Sequence, residues 1–386
     1  MQVSARTSEY LLELLRSVLH NRLAAPKPED VSWDDLFEYA KSQSLSTMAY
    51  RAIQASGFDI GSELSKEWST LYSRNLVTNF NQEHECERLC ERFSAAGIRN
   101  MPLKGSVIRK IYPAPELREM CDLDILVKPE DIERAHEIML AEGYTYLADQ
   151  TTSHNRDYHK LPYLNVEIHN YLLPRENKLF FYYADFWDKA TYEAEGLTCR
   201  MNWNDGYIYM LAHAYKHFFK FGTGIRSVLD VYFMRNRLND TLQREYIVGE
   251  LKKLGLLAFA ESFERLADCW FAEEATQISQ ELLQYHYRVL ESGTYGDSSM
   301  KSTALKIIQD GKSLRTAKLL IALSEVFPPY KNMKEGYPCL KYVPFLLPLL
   351  WVVRWVKIAL LMPNRISSYF HKVKNLSLLG NEEERR

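Results

Sequence analysis

Two aspartates lie close together in a segment that otherwise has the composition of a buried strand. In Glu119–Pro129 (EMCDLDILVKP), Asp122 and Asp124 alternate with apolar residues such as Leu123 and Ile125. Residues two apart in a strand share a face, so the two carboxylates should project together, away from the core. Burying two like charges is costly unless solvent or a cation reaches them. Because Mg²⁺ prefers carboxylate oxygens and keeps substrate phosphates as further ligands, the pattern predicts a site for Mg²⁺ or Mn²⁺.

A second strand repeats this alternation further along the chain. In NVEIHNYL, Glu167 and His169 share one face, and Val166 and Ile168 share the other. If the two strands are neighbours in one sheet, Glu167 supplies a third carboxylate to the same cluster. We interpret His169 as a neighbour that orients water or Glu167 rather than as a metal ligand.

A candidate phosphate-binding turn precedes both strands. Lys104, Gly105 and Ser106 lie between a short strand signal (98–103) and a short helix signal (107–112). Gly105 would permit close approach of the backbone, Ser106 is a favourable N-cap, and Lys104 adds a positive charge. Arg118, four residues before Asp122, either contacts phosphate or is solvated.

A later helix, GYIYMLAHAYKHFFK, carries a second set of candidate ligands. His213 and His217 lie on one helical face with Lys216 nearby, which suits binding of phosphates or of an acceptor. A core histidine is an equal alternative for His213. Zinc bound through H-x₃-H would need a third ligand, and no HExxH motif accompanies the pair. In the next helix, Arg226 and Asp230 are four residues apart, which predicts an ion pair within the helix.

The pattern along the chain predicts an α+β protein with a small mixed sheet between helical regions. We divide it into an N-terminal helical region (1–97), an α/β core (98–200), a C-terminal helical domain (201–330) and a Pro- and Trp-rich tail (331–386). Within the core, a polar link is expected between a strand at 144–148 and a strand at 166–172.

The tail contains an apolar run, YVPFLLPLLWVVRW, that is too short and too interrupted for a transmembrane helix. Trp351 and Trp355 with Arg354 suit a helix at a membrane surface, and a peripheral membrane contact is therefore one interpretation. Packing on the protein's own helices is the other. Pro344 and Pro348 slightly favour it, because they would interrupt a regular apolar face.

Composition excludes several classes of protein. The 386 residues are 46% hydrophobic and 25% charged with a net charge of −2, so no overall basic field favours a long nucleic acid as partner. The six cysteines form no disulfide framework, and Cys86 and Cys90 are expected to be reduced packing residues. The first residues lack the continuous apolar segment of a signal peptide, and the two observations together predict a cytoplasmic setting.

The order of these motifs resembles the nucleotidyltransferase superfamily typified by DNA polymerase beta. More narrowly, LKGSVIRKIYP, DLDILV, VEIHN and HAYKHFFKFGTGIRSVLDV resemble a bacterial family of uncharacterised nucleotidyltransferases over roughly residues 30 to 300. The resemblance implies transfer of a nucleoside monophosphate from an NTP such as ATP to a hydroxyl, with release of pyrophosphate. It also implies that Asp122, Asp124 and Glu167 hold two Mg²⁺ or Mn²⁺ ions, and that Gly105 and Ser106 hold the terminal phosphates.

A sugar phosphate, a small alcohol or a protein hydroxyl would all suit as acceptor. A non-catalytic nucleotide-binding or membrane-surface scaffold is the main alternative, and a metal-dependent hydrolase built on the histidines is a third. Like-charge repulsion in the aspartate pair further predicts that Asp124→Asn leaves the metal-free protein no less stable while transfer is lost.

Overall fold

A computed structural model defines the fold for part of the chain. It describes residues 4–147, 152, 154–162, 164–192, 196–220, 222–294, 327, 330, 333, 337, 340 and 343–361. By contact density the chain divides into one unit of residues 1–296 and a second of residues 297–386.

Four helices precede the sheet: α1 (Ala5–Leu19), α2 (Trp33–Ser42), α3 (Ser46–Ala55) and α4 (Ser62–Ala95). Serines cap the first two, since the hydroxyl of Ser4 accepts from the N–H of Thr7 and that of Ser32 accepts from the N–H of Asp34. The 34-residue α4 ends before Gly97, whose φ of 74° is the left-handed conformation that terminates helices.

The sheet has five strands in the order β1-β2-β5-β4-β3. They are β1 (Asn100–Pro102), β2 (Leu123–Val127), β3 (Thr145–Tyr146), β4 (Asn155–Lys160) and β5 (Leu164–His169). Strands β2 and β5 are parallel, and the other neighbours are antiparallel. The small mixed sheet between helical regions confirms the α+β fold.

The two faces of the sheet differ in what covers them. Leu123, Ile125 and Val127 of β2 point into a core that the second half of α4 and helix α6 (Ile132–Ala141) complete. Cys86 and Cys90 lie in this core as unbridged packing residues, as the sequence predicted. Leu126 points the other way, into the core of the helical region. The alternation predicted for the aspartate strand is therefore observed.

One prediction about the sheet was wrong, because the polar link contains a strand. β4 has the sequence NRDYHK, with Tyr158 on the apolar face and Asn155 and Asp157 on the other face. Its polar residues are tolerated because that face borders a cavity and not a core. A two-stranded ribbon of β6 (Thr191–Tyr192) and β7 (Cys199–Arg200) was also not predicted.

Helices complete the first unit on the polar side of the sheet. The short helix α5 (Gly105–Ile108) lies between β1 and β2, and the short helix α7 (Phe180–Tyr183) follows β5. The longer helices that come later are α8 (Trp203–Lys220), α9 (Ile225–Arg237), α10 (Arg244–Leu254), α11 (Leu257–Phe271) and α12 (Leu283–Glu291). α8 and α9 matter most for the site, because both contribute side chains to the cavity above the sheet.

In the second unit, a tail helix (Leu347–Leu361) follows a 3₁₀ turn at Pro344–Leu346. Both prolines lie at the start of these elements, where a missing N–H costs nothing, so they do not interrupt the helix as the sequence suggested. Within the described part of the chain, none of the helices combines the length and apolar character required to cross a membrane.

Candidate active site

Three acidic side chains form a row across neighbouring strands. Asp124 of β2 is the register partner of Glu167 of β5, and Glu167 is the register partner of Asp157 of β4. Register partners on one face bring their side chains into contact distance. Asp122 lies immediately before β2. Together these four residues, which we call the acid row, line one cavity.

The cavity above the acid row has a volume of about 430 Å³. This is within the range of pockets that enclose small ligands. Its floor is the polar face of the sheet, and its walls include α5, α8 and α9.

Asp124 is the most strongly bound carboxylate of the row. Lys104 Nζ donates to Asp124 Oδ1 at 2.6 Å, and His169 Nε2 lies 2.7 Å from the same oxygen. His169 Nε2 is also 3.2 Å from Glu167 Oε2. One ligand atom each from Asp124, Glu167 and His169 lie within 4.8 Å of one another, an arrangement that fits a divalent cation. His169, expected to be only a neighbour, thus stands among the candidate ligands.

The pKa values of the two aspartates of the DxD motif are shifted in opposite directions. Burial, together with the charges of Asp124 and Glu167, raises the pKa of Asp122 to about 7. Burial also acts to raise the pKa of Asp124, but Lys104 and His169 outweigh it and hold that pKa well below its usual range. Asp124 is therefore a stable anion, whereas an ionised Asp122 is repelled by the other carboxylates of the acid row.

The pKa values of Asp157, Glu167 and the neighbouring His169 are also shifted from their usual values. Burial and the nearby Glu167 raise the pKa of Asp157 to about 6. For Glu167, burial is opposed by a hydrogen bond from His169, which lowers the pKa below its usual value. For His169, burial and Lys104 act to lower the pKa, but Asp124 and Glu167 raise it overall.

Lys104 holds its position through an uncommon backbone conformation. Its φ of 47° and ψ of −118° are rare for a residue with a side chain. The conformation turns the chain from β1 into α5, while the ammonium group contacts Asp124 on the neighbouring strand. Burial acts to lower the pKa of Lys104, but Asp124 keeps it well above its usual range, so the group is a fixed cation.

Gly105 and Arg118 form one end of the cavity. A Cβ at Gly105 would lie 2.5 Å from Arg118 Nη1 and 2.6 Å from Met120 Sδ, so only glycine fits. Arg118 Nε and Nη2 each donate to Asp230 at 2.8 Å, and Tyr112 donates to the same carboxylate. Arg118 is thus buried and paired rather than solvated, which excludes one of the two interpretations of its sequence position.

Ser106 does not have the position that the sequence predicted. The short helix begins at Gly105 with Lys104 as its N-cap and no side-chain cap. Ser106 is buried, and the cavity is lined by its neighbours Gly105 and Val107 instead. The N-cap prediction was wrong because the helix begins at Gly105, so that its N-cap is Lys104, two positions before Ser106.

Helices α8 and α9 supply further parts of the cavity wall. His213, Lys216 and His217 all line the cavity, and the Nε2 atoms of the two histidines are 3.1 Å apart. Among the described residues, the three-ligand metal cluster contains neither of these histidines, so the zinc alternative lacks its third ligand. Arg226 donates to the carbonyl of Glu119 at 2.6 Å.

Asp230, predicted to pair with Arg226 in the same helix, forms its bidentate ion pair with Arg118. The prediction used only the local i,i+4 spacing. Arg118 is far away in sequence, but the fold brings it to the same carboxylate, and its planar guanidinium matches both oxygens.

Comparison with known families agrees with this geometry. The family described as uncharacterised nucleotidyltransferase matches residues 29–272, more than half of the chain. The chain belongs to this family. The matched region of the nucleotidyltransferase runs from before α2 to the end of α11, and so contains the whole sheet with α8 and α9. The searches among curated proteins and among solved structures gave no match.

Asp157 and Arg226 also line the cavity, although neither was predicted from the sequence as a site residue. Asp157 lies in the segment interpreted as a link, and Arg226 was assigned to a helical pair. Strand alternation with Tyr158 would have been a signal for Asp157, since every second residue of NRDYHK then falls on the acid-row face. For Arg226 no local signal exists.

We predict that Gly105→Ala destabilises the nucleotidyltransferase by about 1–3 kcal/mol. The new methyl group would overlap Arg118, which two hydrogen bonds to Asp230 prevent from moving away. Gly249→Ala in α10 is the matched control, because nothing lies within 4 Å of its added Cβ. Urea unfolding of both variants measures the difference, and equal stability of the two would show that this end of the cavity is loosely packed.

Proposed function

We propose that the protein transfers a nucleoside monophosphate from an NTP to a hydroxyl group of a small acceptor, in a reaction that depends on Mg²⁺ or Mn²⁺. The observation that carries the proposal is the convergence of Asp124, Glu167 and His169 within 4.8 Å on the floor of a cavity of nucleotide size. Family membership gives the general reaction class.

In the proposed reaction, the acceptor oxygen forms a bond to the α-phosphorus as the bond to the bridging oxygen of the β-phosphate breaks. Pyrophosphate leaves, and the hydroxyl proton passes to a carboxylate of the acid row, for which Glu167 is our candidate. A divalent cation would neutralise charge on the phosphates during this exchange. Asp122, Asp124, Glu167 and His169 offer the oxygen and nitrogen ligands that would hold it.

The Gly105 end of the cavity is our candidate site for the terminal phosphates. The backbone is bare of a side chain there, and Arg118 and Arg226 bring guanidinium groups, which match phosphate geometry. Lys104 would bind phosphate after a metal ion has replaced it as the partner of Asp124. Ser106 does not line the cavity, so Lys104 and Gly105 are the candidates for phosphate binding at this turn.

The test is a screen for metal-dependent release of pyrophosphate with each NTP across a panel of hydroxyl compounds. We expect release together with an acceptor whose mass rises by one nucleoside monophosphate. Glu167→Gln, which keeps the shape of the side chain, should abolish both signals. A protein that binds NTP with metal but releases no pyrophosphate with any acceptor would be the non-catalytic scaffold.

A contact with a membrane surface is a second proposal, for the tail helix and the 3₁₀ turn before it. Phe345, Leu349 and Val352 are 80%, 59% and 60% exposed, and Arg354 accompanies them. Exposed apolar residues with a flanking cation suit the interface of an anionic bilayer. We expect the protein to sediment with vesicles of phosphatidylcholine and phosphatidylserine, and Val352→Glu to abolish this. Sedimentation that is unchanged in the variant would exclude the tail helix as the contact.

A further inference from the structure

The backbone just before Asp122 belongs to neither a helix nor a strand, yet it is bound on several sides. Each of the three carbonyl groups that precede Asp122 accepts a hydrogen bond from a side chain of a different element. The bonds run from Arg226 of α9 to Glu119 at 2.6 Å, from Gln82 of α4 to Met120 at 3.2 Å, and from Asn165 of β5 to Cys121 at 3.3 Å. Three elements that are far apart in sequence therefore fix the segment that leads to Asp122.

The side chain of Glu119 makes a further contact outside the cavity. Glu119 is not among the described residues that line the cavity, whereas its neighbours Arg118 and Met120 are. Its Oε1 atom accepts from the hydroxyl of Ser46 at 2.8 Å and from the backbone N–H of Thr47 at 2.6 Å. Both partners lie in the first turn of α3, so this contact joins the segment before Asp122 to the N-terminal helical region.

This contact supplies an acceptor that the local sequence of α3 lacks. The N-cap of α3 is Leu45, which forms no side-chain hydrogen bond to the helix. The first N–H groups of a helix have no partner within the helix, and a carboxylate suits them because it also matches the positive end of the helix dipole. Glu119 thus caps α3 from 72 residues away. Such charge-assisted bonds are short and strong, so they hold Glu119 firmly against α3.

The turn between α2 and α3 also holds the start of α9. Gln43 is 1% exposed, and its Oε1 atom accepts from the N–H of Ile225, the first residue of α9, at 2.8 Å. A Cβ at Gly224 would overlap Gln43 Oε1 and would lie 2.9 Å from the backbone of Thr294. Glycine therefore permits the close approach that fixes Ile225 and, with it, the next residue, Arg226.

The contacts of Gln43 and Glu119 close a ring around the segment before Asp122. Gln43 binds the first residue of α9, and the second residue, Arg226, binds the carbonyl of Glu119. The side chain of Glu119 returns to α3, which begins three residues after Gln43. A satisfied polar network of this kind makes the structure around it rigid. The ring fixes Glu119 twice, by its carbonyl and by its side chain.

We propose that Glu119 and Gln43 are positioning residues for the metal site, and that the turn between α2 and α3 thereby determines where Asp122 lies. Neither is among the described residues that line the cavity, so both act through the backbone that they hold. The inference rests on the proposed function in one respect, since it takes Asp122 as a ligand of the divalent cation. It gives the N-terminal helical region a part in binding that cation.

The test measures binding of Mn²⁺ alone to the full-length protein, by electron paramagnetic resonance of the free ion, and needs no turnover. Glu119→Ala should bind Mn²⁺ about 10- to 100-fold more weakly than the wild type, the usual cost of removing a residue that orients a metal ligand. Glu119→Gln keeps an acceptor oxygen for Ser46 and Thr47 and should recover most of this loss. Asp122→Asn sets the upper limit, because it alters the ligand itself.

Ser32→Ala is the matched control for a loss of stability without a loss of positioning. The hydroxyl of Ser32 caps α2 by accepting from the N–H of Asp34, and Ser32 is not among the described lining residues. Losing this cap should lower the midpoint of urea unfolding. The affinity for Mn²⁺, measured without urea, should stay within about twofold of the wild type.

A double variant tests whether the ring acts as one unit. Gln43→Ala breaks the ring at its other side chain and should also weaken Mn²⁺ binding. The free-energy losses of independent defects add, whereas those of residues in one network do not. Gln43→Ala combined with Glu119→Ala should therefore bind Mn²⁺ no more weakly than the weaker single variant. Gln43→Ala decides the question alone if Glu119→Ala does not fold.

Three results would overturn the inference and leave the transferase proposal intact. They are an affinity for Mn²⁺ in Glu119→Ala within about twofold of the wild type, an equal loss in Ser32→Ala, and losses that add in the double variant. A wild-type protein that binds no Mn²⁺ would overturn the proposed function as well.

Discussion

Replacing Asp124 by asparagine should abolish nucleotidyl transfer and should also destabilise the metal-free protein by about 3–5 kcal/mol. The carboxylate accepts from Lys104 Nζ at 2.6 Å, and His169 Nε2 lies 2.7 Å away. Asparagine keeps the shape of the side chain but leaves the buried ammonium group of Lys104 without its negatively charged partner. Removing one partner of such a pair costs more than the pair contributes, because the other charge is left uncompensated.

Asp122→Asn should have the opposite effect on stability with the same loss of activity. Burial and the charges of Asp124 and Glu167 raise the pKa of Asp122 to about 7, so its negative charge is unfavourable in the folded protein. An amide removes that charge, and the metal-free variant should be as stable as the wild type or more stable. Stability gained with activity lost is the pattern of a functional carboxylate. Urea unfolding with EDTA present measures both variants.

The pH dependence separates the two aspartates further. Asp122 binds a proton more tightly in the folded state, so its contribution to stability falls as pH rises from about 4, its unfolded value, towards 7. Asp124 has a depressed pKa, and its contribution is present above about 4 and is lost at lower pH. The advantage of Asp122→Asn over wild type should therefore grow between pH 5 and pH 8. A constant difference across that range would contradict the assignment.

In the sequence alone, Asp122 and Asp124 have the same surroundings, so it gives no reason to expect different effects on stability from the two residues. Repulsion within the pair predicted that Asp124→Asn would cost no stability. Lys104, twenty residues earlier, removes that repulsion at Asp124 and leaves it at Asp122. No local pattern identifies this contact, because it depends on the register between β1 and β2 and on the turn at Lys104.

Where a local pattern carries the information, the sequence was sufficient. Alternation of apolar and acidic residues predicted both β2 and β5 and the face that Asp124 and Glu167 share. β4 was missed because its polar residues face the cavity, so it has only half of the apolar signal of a strand. A strand such as β4, with Tyr158 as its one apolar residue, therefore looks like a loop in sequence.

The second large effect concerns Lys104, whose ammonium occupies the oxygen of Asp124 that a metal ion would need. Lys104→Gln should bind Mn²⁺ alone roughly tenfold more tightly than the wild type, since no fixed cation competes for the carboxylate. It should bind the Mn²⁺–nucleotide complex more weakly, because the phosphates lose a positive partner. The metal-free variant should be less stable, as it keeps Asp124 without its ion pair.

Lys104→Gly tests the backbone at the same residue. Glycine adopts the φ of 47° without strain, so this variant should be about 1–3 kcal/mol more stable than Lys104→Gln, although both lack the ammonium group. Electron paramagnetic resonance of free Mn²⁺ gives the metal affinity without any need for turnover. If both variants bound Mn²⁺ more weakly than the wild type, Lys104 would belong to the metal site as a support rather than as a competitor. Tighter binding of Mn²⁺ by both variants is expected only if the Lys104 ammonium group and the metal ion compete for the carboxylate of Asp124.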